Sequence, residues 1–226
     1  MKLVRYGPPG TERPGVVDAS GTLRDLSAHV NDITGDTLGA AGLSRLATLD
    51  PSKLPRVDGT PRLGPCVAGT GKFICIGLNY SDHAAEAGMT VPAEPVVFMK
   101  ATSAIVGPDD DIEIPRQAHK TDWEVELAVV IGRSAKYVDP EQALDYVAGY
   151  CVVDDVSERD FQLEHQGQWT KGKSHDTFGP IGPWLVTKDE IADPQNLNPV
   201  FLKDGDRVSL GIEGLGEQMH RVVAAK

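Results

Sequence analysis

The stretch TDWEVELAVVIG, residues 121 to 132, constrains this chain more than any other part of it. Side chains two apart in an extended chain point the same way, with Cα atoms roughly 6.5 to 7 Å apart. Glu124 and Glu126 therefore share one face, continued by Ala128 and Val130, while Trp123, Val125, Leu127, Val129 and Ile131 line the other. Both faces become apolar along the strand, the mark of a strand covered on both sides. Such a chain must bury a sheet, and this strand enters its core with two carboxylates at the mouth.

Other segments read as short strands: KFICIGL from Lys72, PVVFMK from Pro95, SAIVGPDDDIEIP from Ser103 and GYCVVDDVS from Gly149. Helices are few. Ser81 can cap a short helix in NYSDHAAEAGM that Gly88 ends, and Asp139 a helix from Pro140 to about Val147. Residues 1–68 carry KLVRY, GVVD and TLRDL around a turn at Ala19-Ser20-Gly21, with helical patterns around SAHVNDI and LSRLATL. A proline-rich connector, DPSKLPRVDGTPRLGP, then separates a small N-terminal domain from a larger unit over 69–226. Many short strands with few helices predict an α+β, β-rich fold.

The formal charge of −11 has the wrong sign for a surface that attracts phosphate backbones or anionic lipid, so nucleic acid and membrane are not expected partners. No run approaches the roughly 18 apolar residues of a membrane span, and the N-terminus lacks an apolar signal core, which predicts a cytoplasmic protein. Cys66, Cys75 and Cys151 are odd in number and far apart in sequence, which suggests neither a disulfide framework nor a thiolate zinc site.

Gly167 to Ser174, GQWTKGKS, fits G-x-x-x-x-G-K-[ST] letter for letter. A phosphate loop also needs an apolar strand before it and a helix N-terminus after it. The flanks ERDFQLEHQ and HDTFGPIGPW supply neither, so nucleotide binding is not expected. Asp154-Asp155 ends an apolar strand much as Glu124 and Glu126 begin one, and neighbouring strands lie about 4.8 Å apart. Two readings stand: a wet acidic face held in salt bridges, or a site for Mg²⁺, Mn²⁺ or Ca²⁺, the cations that hard oxygen ligands favour. His83 and Glu86, three apart, share a helical face either as a solvated surface pair or as a general base with its orienting carboxylate. The remaining histidines show no metal-ligand spacing.

Taken together, GKFICIGLNYSDHAAEAG, PVVFMKATSAIVGP, DWEVELAVVIGR, VAGYCVVDDVSERDFQ, WTKGKSHDTFGPIGPWLVT and LGIEGLGEQ resemble the fumarylacetoacetate hydrolase family from about Phe73 almost to the C-terminus. Within it the chain is most similar to bacterial members described as 2,4-diketo-3-deoxy-L-fuconate hydrolases or, loosely, ureidoglycolate lyases. The resemblance implies a mixed β-roll catalytic domain, usually homodimeric, after a smaller N-terminal domain. It implies a Mg²⁺ or Mn²⁺ ion on Glu124, Glu126 and Asp155, an active-site cation at Lys173 and a water-activating dyad at His83 and Glu86. Gln162 matches a substrate-contacting glutamine, with Lys100 and Arg159 at further substrate-binding positions. The implied activity is hydrolytic C–C cleavage of a 2,4-diketo acid to pyruvate and a carboxylic acid. The alternatives are a lyase, decarboxylase or isomerase acting on a related oxo acid, or an inactive binding homologue.

One departure is large. After DPQNLN the family continues through further strands and a loop with a substrate-touching threonine, whereas this sequence runs from Asn198 directly into PVFLKDGDRVSLGIEGLG. The resemblance implies a family segment missing between 198 and 199, and the expectation is that Asn198 and Pro199 are not covalent neighbours, so that their Cα atoms lie farther apart than about 3.8 Å.

Overall fold

In a computed structural model, the structure describes residues 1–79, 92–191, 199–200, 208–212, 214–220 and 222–224. Val147–Asp154 is buried at all eight positions and lies inside the main sheet. The spatial order is Leu23–Asp25, Arg13–Val17, Lys2–Tyr6, Gly179–Thr187, Val147–Asp154 and Val125–Ile131, antiparallel throughout. Ile105–Val106 joins Gly179–Thr187 in parallel. With mostly short strands and few helices, the chain is α+β and strand-rich, as the sequence predicts.

The alternation in Val125–Ile131 sorts into two cores. Ala128 and Val130 pack with Leu3, Cys151, Val153, Ile181 and Leu185 on one face. Trp123, Val125 and Leu127 pack with Tyr150, Val152 and Val186 on the other. The strand is interrupted at its start, because Thr121–Asp122 pairs separately with Ser157–Glu158. Side-chain carboxylates satisfy the break: Asp122 Oδ1 accepts the Trp123 N–H at 3.0 Å and Asp154 Oδ1 the Glu124 N–H at 3.2 Å.

The N-terminal strand belongs to the main sheet. Leu3 pairs with Leu185, and the Thr187 N–H donates to the Met1 carbonyl at 2.9 Å. The sheet therefore crosses the boundary expected at residue 68, since Lys2 and Leu3 pair with Val186 and Leu185, and Leu3 is buried in a core drawn from both sides of it. LSRLATL contributes to the helix Ala40–Ala47, but SAHVNDI folds as turns. There Asp25 Oδ1 takes the Ser27 N–H and Asp32 Oδ1 the Ile33 N–H, local bonds that compete with a helix. Pro140–Tyr146 is 3₁₀ rather than α-helical, and Asp139 makes no side-chain cap. The helix expected around His83 and Glu86, and the step from Asn198 to Pro199, fall outside the described residues. Among the described residues no helix is long and apolar enough to cross a membrane.

Candidate active site

The ladder between Val125–Ile131 and Val147–Asp154 sets Val153 opposite Glu126 and Asp154 opposite Val125. One residue further, the Asp155 N–H donates to the Glu124 carbonyl at 2.9 Å. With period two, Cys151, Val153 and Asp155 share a face with Glu124, Glu126, Ala128 and Val130, and all seven line a cavity of about 1270 Å³. The acids at the mouth of one strand thus meet the acid at the end of the next.

Lys173 is brought to them by the short helix Thr170–Lys173. Its buried ammonium donates to Glu124 Oε2 at 2.9 Å, Asp155 Oδ2 at 2.8 Å and Ser157 Oγ at 2.7 Å. The G-x-x-x-x-G-K-S string is no phosphate loop: the π-helical turn Asp160–Glu164, not a strand, precedes it and the helix is one turn long. Its second glycine has a packing reason. A Cβ at Gly172 would lie 2.4 Å from the Glu158 carbonyl oxygen and 2.6 Å from the Gln162 nitrogen, so only glycine lets the helix lie on that turn.

Arg159 holds the other side of Glu124. One guanidinium nitrogen is 2.6 Å from Glu124 Oε1 and donates to Gln162 Oε1 at 3.2 Å, while the group also donates to Asp122 Oδ2 at 2.8 Å. Arg159 and the buried Gln162 both line the cavity. Lys100 does not. It is 1 % exposed, and its ammonium donates to Asp155 Oδ1 at 2.5 Å and to the Val156 carbonyl at 3.0 Å. Lys100, expected at a substrate-binding position, thus stands behind Asp155 and outside the cavity lining, with two of its three N–H donors on protein acceptors.

The charges of this floor are unevenly matched. Burial pushes Asp155 up, but the ammonium groups of Lys100 and Lys173 outweigh it and hold the carboxyl below its ordinary value. Glu126 is pushed up to about 8, first by burial and then by the charges of Glu124 and Asp155. Burial likewise pushes Asp154 up to about 8 and the Cys75 thiol up to about 12.

Three carboxylates form the hard, all-oxygen donor set that Mg²⁺ or Mn²⁺ takes, and the raised Glu126 carboxyl marks a place short of positive charge. That chemistry fits a divalent ion. The side chains as placed close instead on the Lys173 ammonium, and among the described residues no group of three or more His, Cys, Asp or Glu is arranged around a common ion position. The donor set is therefore present while its arrangement here is that of a lysine ion pair. The dyad expected at His83 and Glu86 lies outside the described residues.

Three residues of the site escaped the sequence reading. Ser157 lies two positions after Asp155 and so on its side of the chain, a signal that was there to use. Phe98 and Trp169 pair edge to face at 5.4 Å, with the Lys173 ammonium 5.0 Å from the Phe98 ring. Nothing local in sequence announces that contact.

Residues 72–199 match the family model described as fumarylacetoacetate (FAA) hydrolase C-terminal. A protein of Burkholderia multivorans, provisionally named a hydrolase, is 54% identical over 282 residues covering all of both chains. A fumarylacetoacetate hydrolase from Exiguobacterium antarcticum is 30% identical with a TM-score of 0.83, again over all of both chains. The 5-carboxymethyl-2-hydroxymuconate delta-isomerase of Mycobacterium smegmatis is 26% identical with a TM-score of 0.72, also over all of both. Since this chain has 226 residues, the 282 aligned with the Burkholderia protein leave at least 56 positions without a counterpart here. The strand ladder, the acidic floor with its lysine, the family match and a relative this similar end to end make one assignment: the chain belongs to the fumarylacetoacetate hydrolase family.

Proposed function

We propose that this protein is a divalent-metal-dependent hydrolase that cleaves the C–C bond of a 2,4-diketo acid to pyruvate and a carboxylic acid. The observation that carries the reading is the meeting of Glu124, Glu126, Asp155 and Lys173 at one cavity. Glu124, Glu126 and Asp155 would hold Mg²⁺ or Mn²⁺, which when bound supplies a Lewis acid for a chelating 2-oxo acid. Arg159 steadies Glu124, and Lys100 steadies Asp155, so the ligand carboxylates keep their orientation. Gln162, held by Arg159, presents an amide to the oxo acid. His83, oriented by Glu86, takes a proton from the water that attacks the 4-oxo carbon. Breaking the C3–C4 bond leaves pyruvate enolate, and the Lys173 ammonium stabilises its developing charge. A proton returned to C3 completes the reaction. The protein works in the cytoplasm as a homodimer, which sedimentation at micromolar concentration checks.

The isomerase among its structural relatives favours one second reading, an enolising isomerase or lyase on a related oxo acid. Acylpyruvate turnover, read as pyruvate released with Mg²⁺ and with EDTA, tests the first. Turnover untouched by EDTA would sink it. His83→Ala separates the two, since hydrolysis collapses without its base whereas exchange of the C3 protons of a 2-oxo acid persists if enolisation is the native step.

A further inference from the structure

The charged floor of the cavity adjoins an apolar wall. In the hairpin of Phe73–Gly77 and Val96–Lys100, the less exposed positions Phe73, Cys75, Gly77, Phe98 and Lys100 alternate with the exposed Ile74, Ile76, Val97 and Met99. Phe98 carries the Lys173 ammonium against its ring and Trp169 at its edge, with the planes 62° apart. Trp169 lies directly on the hairpin backbone, since a Cβ at Gly77 would be 2.4 Å from its Cζ3. Leu163, next to Gln162, adds a half-exposed side chain to the same lining.

Charged groups of the lining outside the floor lie elsewhere. Arg133 is held over the Tyr146 ring at 4.0 Å, and Lys72 precedes the hairpin, roughly 16 Å along the strand from Gly77. A molecule whose acid end is held by Lys173 and Gln162 therefore lays its remainder on Phe98, Trp169 and Leu163. A hydroxylated or charged remainder would lose water there against a phenyl ring, an alkyl side chain and an indole that together offer a single N–H in return. An alkyl or aryl remainder gains from the same burial.

We infer that the substituent on the far carbonyl of the oxo acid is apolar, alkyl or aryl, and that Trp169, backed by Phe98 and Gly77, is the residue that selects it. The inference rests on the oxo-acid reading of the site above. Trp169 also packs the Thr170–Lys173 helix onto the hairpin, so the test must separate selection from support.

Two arms do so. In the first, kcat/KM is compared for two 2,4-dioxo acids that differ only in a phenyl or a polyhydroxylated substituent. The second measures calorimetric binding of phenylpyruvate and of a 2-keto-3-deoxy sugar acid, with Mg²⁺ and without turnover. The phenyl compound is preferred by at least about tenfold in each arm, and Trp169→Ala erases that ratio. Trp169→Leu, which keeps bulk at the position, serves if the alanine variant does not fold. Equal or reversed preference in the wild type overturns the inference, and so does a variant that lowers both ligands alike, the sign of a supporting role. If neither dioxo acid is cleaved while the binding preference holds, the hydrolase reading falls and the selectivity stands.

Discussion

At the scale of one residue, Glu126 carries the cost of burial beside two other acids. Its carboxyl, like that of Asp154, is pushed up to about 8, so the folded chain holds protons that the unfolded chain has released above about pH 4.5. Stability of the metal-free protein therefore falls as pH rises from about 5 toward about 8, by up to about 1.4 kcal/mol per pH unit for each such carboxyl. Asp155, held below its ordinary value, acts the other way and loses its contribution as pH falls through the acid range. Thermal melts in EDTA across that span are expected to show a falling Tm, and Mg²⁺ to flatten the decline. Glu126→Gln should lessen it without metal, leaving the share that Asp154 contributes, and abolish the Mg²⁺ response. A metal-free Tm constant from pH 5 to 8 would contradict the buried-carboxylate account. That Glu124 and Glu126 share a face was legible in the sequence, because period two is a local property. That Asp155 and Lys173 join them was not, because one depends on ladder register and the other on how a one-turn helix packs.

At the scale of elements, the junction between the Asp160–Glu164 turn and the Thr170–Lys173 helix decides where the lysine ends up. Gly172 is the contact point, and alanine there would meet the Glu158 carbonyl and the Gln162 main chain, which are backbone and cannot rotate away. Gly172→Ala is expected to cost about 1 to 3 kcal/mol of stability and to move Lys173 off Glu124 and Asp155. Denaturant melts and pyruvate release together check it: full activity with unchanged stability would show that the close contact is not needed. The sequence alone presented these residues as a phosphate-loop string, and only its flanks argued against that. Chain direction and local composition could reject the loop, but the reason for the glycine lies in a contact with a segment ten residues away.

The whole molecule carries an open apolar margin. Val125–Ile131 is the last strand of the sheet, with Val129 and Ile131 about half exposed, and Ile74, Ile76, Val97 and Met99 are exposed on the neighbouring hairpin. An apolar edge strand of this kind is ordinarily covered. The Burkholderia relative has at least 56 positions that this chain of 226 residues lacks, and the family match stops at residue 199. Grafting the relative's unmatched stretch at the step from Asn198 to Pro199, where the family resemblance implies a missing segment, is expected to raise Tm and to reduce binding of an apolar dye such as ANS. A graft that leaves both unchanged would show that the margin is not where that segment packs.

Strand identity, the two faces of the Val125–Ile131 strand, the β-rich class and the acidic residue types were determined by the sequence by itself, since each follows from side-chain alternation and local composition. Tertiary structure decided the rest. It joined the first strand to the catalytic sheet, placed Lys100 behind Asp155, set Lys173 between two acids and laid Trp169 on Phe98. Each of those four is a contact between residues distant in sequence, fixed by register and close packing, and none is written in any single stretch of chain.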